Sequence, residues 1–99
     1  MPDYDAFFNG NWIPYSEVSI SPSDRGFSVG DLVFEVERTF NGVPFMLTEH
    51  LDRLYRSLKY VRMDALMTAS EMAELVVEGV SRASYSLENV GEFSLRQVV

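Results

Sequence analysis

No cysteine occurs anywhere in the 99 residues, which excludes a disulfide scaffold and a thiolate metal site. A single histidine, His50, leaves no basis for a histidine-rich metal centre. Positive charge is scarce: 8 Lys and Arg stand against 15 Asp and Glu, for a formal net charge of -7. Non-specific nucleic-acid binding needs a basic face, so nucleic acid is not an expected partner. No apolar run approaches the roughly 20 residues of a membrane span. The N-terminal "MPDYDAFF" is acidic and lacks the basic-then-apolar order of a signal peptide. The expectation is therefore a cytoplasmic chain with no membrane partner and no metal.

What is present is ordinary for a folded protein. Hydrophobic residues make up 46% and charged residues 23%, enough for one small domain with a modest core. "AFFNGNWI", residues 6–13, predicts a hairpin turning at Asn9-Gly10. Residues 14–31 are rich in Pro, Ser, Gly and Asp and predict mostly loop. "LVFEVERTF", residues 32–40, alternates as a strand. Phe34, Val36, Arg38 and Phe40 share one face, and Val33, Glu35, Glu37 and Thr39 the other. Asn41-Gly42 predicts a second hairpin turn, with "VPFML" as the returning strand.

Thr48 is the expected cap of a helix running to about Met63. Thr68 and Glu71 have the spacing of a capping box for a second helix, with an apolar stripe of Met72, Leu75, Val76, Val80 and Ala83. "GEFSLRQVV" predicts a final strand. The order of strands, two helices and a strand gives an α+β domain, a small antiparallel sheet flanked by two helices. A strand that stops at the last residue is either an edge strand at a natural terminus or the end of a piece of something larger.

The cations are unevenly placed. Arg53, Arg56, Lys59 and Arg62 all fall within "EHLDRLYRSLKYVRMD", residues 49–64. At about 100° per residue, Leu51, Leu54, Tyr55 and Leu58 form the buried stripe. Arg53 lies on roughly the opposite side, Arg56 near it, Lys59 on the flank, and Arg62 at the helix end. The cations thus spiral rather than form one patch. A solvated face with helical ion pairs, such as Asp52 with Arg56, explains most of them. For Arg53, early in the helix where a cation suits the macrodipole poorly, a bound phosphate or carboxylate is the other explanation.

Five motifs carry a more specific signal: Asp24-Arg25-Gly26, Gly30-Asp31, Val33-Phe34-Glu35, Asn41-Gly42 and His50-Leu51-Asp52-Arg53-Leu54. In this order and spacing, from about Phe7 to the end, they resemble the N-terminal domain of class IV, fold type IV, pyridoxal-phosphate aminotransferases. That family includes D-amino-acid and branched-chain aminotransferases, (R)-selective amine transaminases and aminodeoxychorismate lyase.

The resemblance implies pyridoxal 5'-phosphate as cofactor, with Arg53 binding its phosphate. It implies amino-acid or amine and 2-oxo-acid substrates, and a homodimer. Phe34 matches an aromatic position lining the substrate pocket, and phenylalanine there is similar to the branched-chain enzymes. Core packing is the other reading of Phe34. Arg38 matches a pocket arginine that takes a substrate carboxylate, against a strand-end salt bridge. Val29 stands where an aromatic is common and reaches the neighbouring subunit's pocket. Leu32 replaces a usual small residue. Arg96 aligns with a strand arginine of many members, with a surface or interface role as its alternative.

The family's chemistry also needs a lysine bonded to the cofactor and a carboxylate at the pyridine nitrogen, both in a C-terminal domain. Lys59 is the only lysine in the chain, and its surroundings do not match that motif. Residues 1–99 are thus expected to be the N-terminal small domain, inactive alone. The alternatives are a lyase of the same fold, or a non-catalytic dimerisation module that kept the scaffold.

Overall fold

The computed structural model describes residues 4–86 and 92–99, with side chains for all of these except 84–86. The chain opens with the hairpin β1 (Asp5–Phe8) and β2 (Asn11–Pro14), paired antiparallel with Phe7 opposite Trp12. Asn9 and Gly10 both take positive φ, 48° and 92°, as a two-residue turn of this hand requires. A single 3-10 turn follows at Tyr15–Glu17.

The segment expected to be mostly loop contains a short helix, α1 (Arg25–Val29). The Asp24 carboxylate caps it, accepting from Gly26 N at 2.8 Å and Phe27 N at 3.3 Å. Gly30 closes it in the left-handed conformation, and Arg25 Nε donates to Asp31 Oδ2 at 2.9 Å. Two of the five sequence motifs are therefore the two ends of one helical turn. Gly26 has a second reason to be glycine: a Cβ there would meet Asp24 Oδ1 at 3.0 Å and Leu32 Cδ2 at 3.1 Å.

The second sheet has the order β4-β3-β5. Strand β3 (Phe34–Phe40) pairs antiparallel with β5 (Ser94–Val98), placing Phe34 opposite Val98 and Val36 opposite Arg96. Strand β4 is only Val43–Pro44, shorter than the expected "VPFML", because Met46 turns left-handed and starts the next helix. Strand β5 is an edge, and its pairing continues through reciprocal backbone bonds between Val33 and Val99. The Gly91 end of the expected strand lies outside the described residues.

Helix α2 (Leu47–Val61) buries Leu51, Leu54 and Leu58, as its stripe predicts. Thr48 is not its cap. It lies inside the first turn, and the N-cap is Met46, whose side chain makes no capping bond. Helix α3 (Ala69–Ser86) has the expected capping box: Glu71 N donates to Thr68 Oγ1 at 3.1 Å, and Thr68 N to Glu71 Oε1 at 2.9 Å. Met72 joins the leucines of α2 in the main core, beside Val33, Tyr55 and Val99. Val76 and Val80 are buried farther along α3, where Gly79 lies close to Trp12 and Leu95. Arg82 pins α3 to the hairpin, stacking over Trp12 at 4.4 Å and bonding Asp5 at 3.0 Å. The α+β class is as the element order predicts, with two small sheets in place of one and α1 added to the two long helices.

Strand β3 turns its polar side inward. Its polar residues Glu35, Glu37 and Thr39 are buried toward the helices, while Phe34, Val36 and Phe40 are exposed. Burial of the polar side is tolerated because each of the three side chains finds a partner for at least one polar atom, though Glu37 Oε2 is buried without one among the described residues. Thr39 Oγ1 donates to Glu92 Oε1 at 2.6 Å and accepts from Phe93 N at 2.9 Å. Gln97 Nε2 donates to Glu37 Oε1 at 2.6 Å.

Candidate functional site

Two groups of chemistry-bearing side chains meet on β3. The first lies on its buried side. Arg53 is the seventh residue of α2, two residues further in than a cap at Thr48 would place it. Its side chain is 61% exposed, yet its guanidinium is fixed to Glu35, whose side chain is 7% exposed. Arg53 Nε donates to Glu35 Oε2 at 2.6 Å, and Nη2 to Oε1 at 2.8 Å. His50 Nδ1 lies 2.8 Å from the same Oε1. Hydrogen bonding from Arg53 holds the Glu35 carboxyl at about 2, against the opposing pull of burial, with His50 assisting. Glu35 is therefore ionised at neutral pH and only accepts, so His50 Nδ1 carries the hydrogen. Among the described residues, Arg53 Nη1 has no hydrogen-bond partner.

The second group lies on the exposed side of the same strand. Phe34, Val36, Arg38 and Phe40 of β3 share this face with Ser94, Arg96 and Val98 of β5. Phe34 is 53% exposed, so it is not core. Arg96 stacks over the Phe34 ring at 5.3 Å and Arg38 over the Phe40 ring at 4.3 Å. Arg38 also donates from Nε to its neighbour's carbonyl, Thr39 O, at 3.2 Å. It makes no strand-end salt bridge among the described residues. The face is apolar with two guanidinium groups laid on it, a surface suited to an anion with an apolar tail.

The candidates of the sequence divide accordingly. Arg53 stands on the helix side of β3, and Phe34, Arg38 and Arg96 stand together on the exposed side. Val29 ends α1, exposed, and no described hydrogen bond or ring contact joins it to either group. The expected Asp52–Arg56 pair is not formed, and Arg56 and Lys59 are exposed without an ion pair among the described residues. Arg62 is the left-handed C-cap of α2. Glu35 has no role in the sequence-based expectations, where it stands in a motif and on one face of a strand with Glu37 and Thr39. A weak signal for it is the spacing of His50 and Arg53, three apart on one helix face, which lets both reach one acid.

Comparison with known proteins points to one family. Residues 32–98 match the family model described as amino-transferase class IV. A putative branched-chain-amino-acid aminotransferase of Methanocaldococcus jannaschii is 42% identical over 72 residues, which is 73% of this chain and 25% of that protein. A D-alanine aminotransferase of Staphylococcus haemolyticus is 36% identical over 72 residues, 73% of this chain and 26% of its own length. Among solved structures, the branched-chain aminotransferase of Thermoproteus uzoniensis with norvaline superposes with a TM-score of 0.84 at 25% identity, covering 97% of this chain and 32% of that one. The chain thus spans about a quarter of the curated relatives' length and about a third of this solved structure's. From its matched residues, its fold and the conjunction of the five motifs, the chain belongs to the class IV aminotransferase family.

Proposed function

We propose that this chain is the N-terminal domain of a pyridoxal-phosphate-dependent transaminase, moving an amino group between an amino acid or primary amine and a 2-oxo acid. A C-terminal domain outside these residues carries the catalytic lysine. The observation that carries the reading is Arg53: a surface guanidinium held rigid by a buried acid, with one edge left over. The residues fit the phosphate end of the cofactor. Guanidinium offers five N–H donors in a fixed fork, and Glu35 takes the side edge only. Both hydrogens on Nη1 and one on Nη2 remain, and the end-on edge, with one from each nitrogen, can face two phosphate oxygens. The cofactor, when bound, supplies the electron sink for the reaction. This chain's part is to bind and orient. Arg53 takes the phosphate, Phe34 walls the substrate's side chain, and Arg38 or Arg96 takes a substrate carboxylate. Val29 borders the pocket of the neighbouring subunit in a homodimer, and the enzyme works in the cytoplasm.

The exposed apolar face of β3 and β5 favours this reading over an independent non-catalytic module. Phe34, Val36, Phe40 and Val98 on one face are what a domain leaves uncovered when it docks on further protein. The test is amino transfer by the full-length protein with pyridoxal 5'-phosphate, D-alanine or a branched-chain amino acid as donor, and 2-oxoglutarate as acceptor. Formation of the donor's 2-oxo acid is the expected result. Release of pyruvate from aminodeoxychorismate without amino transfer would show the lyase chemistry instead.

A further inference from the structure

A guanidinium on an exposed helix face ordinarily wanders, because arginine loses much side-chain freedom when it is ordered. Arg53 is ordered by a strand. Glu35 lies on β3, buried, and its two oxygens grip Nε and Nη2 at 2.6 and 2.8 Å. The carboxylate is itself braced, since His50 donates to Oε1 at 2.8 Å. His50 and Arg53 are three residues apart on α2, so both reach the same acid from one face. Three donors on one carboxylate fix both its position and its rotation. The guanidinium plane is then fixed too, and with it the direction of the end-on Nη1–Nη2 edge.

We infer that Glu35 is a positioning residue for the cofactor's phosphate: it clamps the side edge of Arg53 so that the end-on edge is presented in one orientation, with His50 bracing the clamp. This rests on the reading of Arg53 as the phosphate ligand. The arrangement has an electrostatic cost, because Glu35 places a negative charge near an anion's site and offsets part of the attraction of Arg53. Orientation is the effect that wins here. The end-on edge binds two oxygens only when both N–H groups are aligned, and an unclamped side chain must be ordered again at each binding event. Glutamine at this position keeps the size but offers one acceptor and presents an NH2 group to a donor.

The experiment titrates the full-length apoprotein with pyridoxal 5'-phosphate and with pyridoxal, which lacks the phosphate. The ratio of the two affinities isolates the phosphate contact. A merely structural role for Glu35 lowers both affinities together and leaves the ratio alone. Glu35→Gln is expected to lower the ratio about tenfold, by analogy with the low end of what partners of metal ligands contribute. In an Arg53→Ala background it is expected to lower the ratio no further. If Arg53→Ala lowers the ratio and Glu35→Gln leaves it unchanged or raises it, the clamp is refuted while the phosphate ligand stands. If Arg53→Ala itself leaves the ratio unchanged, both fall. Should Glu35→Gln not fold, Glu35→Asp carries the same test. It keeps the charge but withdraws it by one methylene, and an unchanged ratio overturns the inference.

Discussion

Removing the Glu35 charge makes a prediction whose sign depends on pH. The folded protein holds this carboxyl at about 2, below its ordinary 4.5, chiefly through the bond from Arg53. Each pKa unit is worth about 1.4 kcal/mol, so the depression corresponds to at most ~3 kcal/mol of folding free energy. Arg53 is 61% exposed, and solvent screens its half of the pair, which brings the expectation to ~1–2 kcal/mol. A carboxylate whose folded pKa lies below its unfolded value contributes stability above the unfolded pKa. That contribution fades as pH falls toward the folded one. Glu35→Gln should therefore be less stable than the parent by ~1–2 kcal/mol at pH 7. The gap should close between about pH 5 and pH 2. Urea unfolding of parent and variant, followed through the single tryptophan, Trp12, at a series of pH values measures the gap directly. Other acids titrate in both proteins and cancel in the difference. A gap that stays constant with pH, or widens on acidification, refutes the reasoning.

Other changes test other parts of the structure. Leu54→Ala opens a cavity at a residue with 0% exposure and should cost ~2–5 kcal/mol in urea unfolding. Gly26→Ala should lose ~1 kcal/mol rather than gain from helix propensity, because the new methyl presses on Leu32 and on the capping oxygen of Asp24; a rise in melting temperature would contradict the packing. Burial raises the Glu37 carboxyl, and Glu37 Oε2 and Gln97 Oε1 are both buried without a partner among the described residues. Glu37→Gln supplies a donor that needs no proton uptake, and should raise stability by ~1 kcal/mol at pH 7 with less gain at pH 4; a loss at pH 7 would count against it.

The sequence shows the elements better than it shows which way they face. Asn9-Gly10 and Asn41-Gly42 fix two turns because positive φ is a local demand of the backbone. The leucines of α2 and the Thr68–Glu71 box are legible for the same reason: their spacing sets their geometry. Strand β3 is different. Alternation sorts its residues into two faces, but it does not say which face is covered. The apolar one, Phe34, Val36 and Phe40, would be chosen on polarity alone. The choice is reversed because partners distant in sequence, Arg53 with His50, Gln97 and Glu92, bond to Glu35, Glu37 and Thr39 in turn, with one Glu37 oxygen left over. That reversal makes the candidate site. It frees the Phe34 face for contact, and it buries the acid that holds Arg53. Arg53 itself is legible as a cation set apart from the core stripe, but its anchor is not, since Glu35 and Arg53 are 18 residues apart. The helix α1 is missed because its five residues read as turn chemistry, with Asp24 and Gly30 serving as caps to a single turn.

The central claim is that Arg53 binds the phosphate of pyridoxal 5'-phosphate. The most direct measurement is the affinity of the full-length apoprotein for that cofactor, with arginine and with Arg53→Ala. Loss of a charge-assisted contact to phosphate is worth about 1.5–3 kcal/mol, so the account predicts binding weaker by roughly ten- to a hundredfold, with pyridoxal binding unchanged. Equal affinity for the phosphorylated cofactor in both proteins would contradict it.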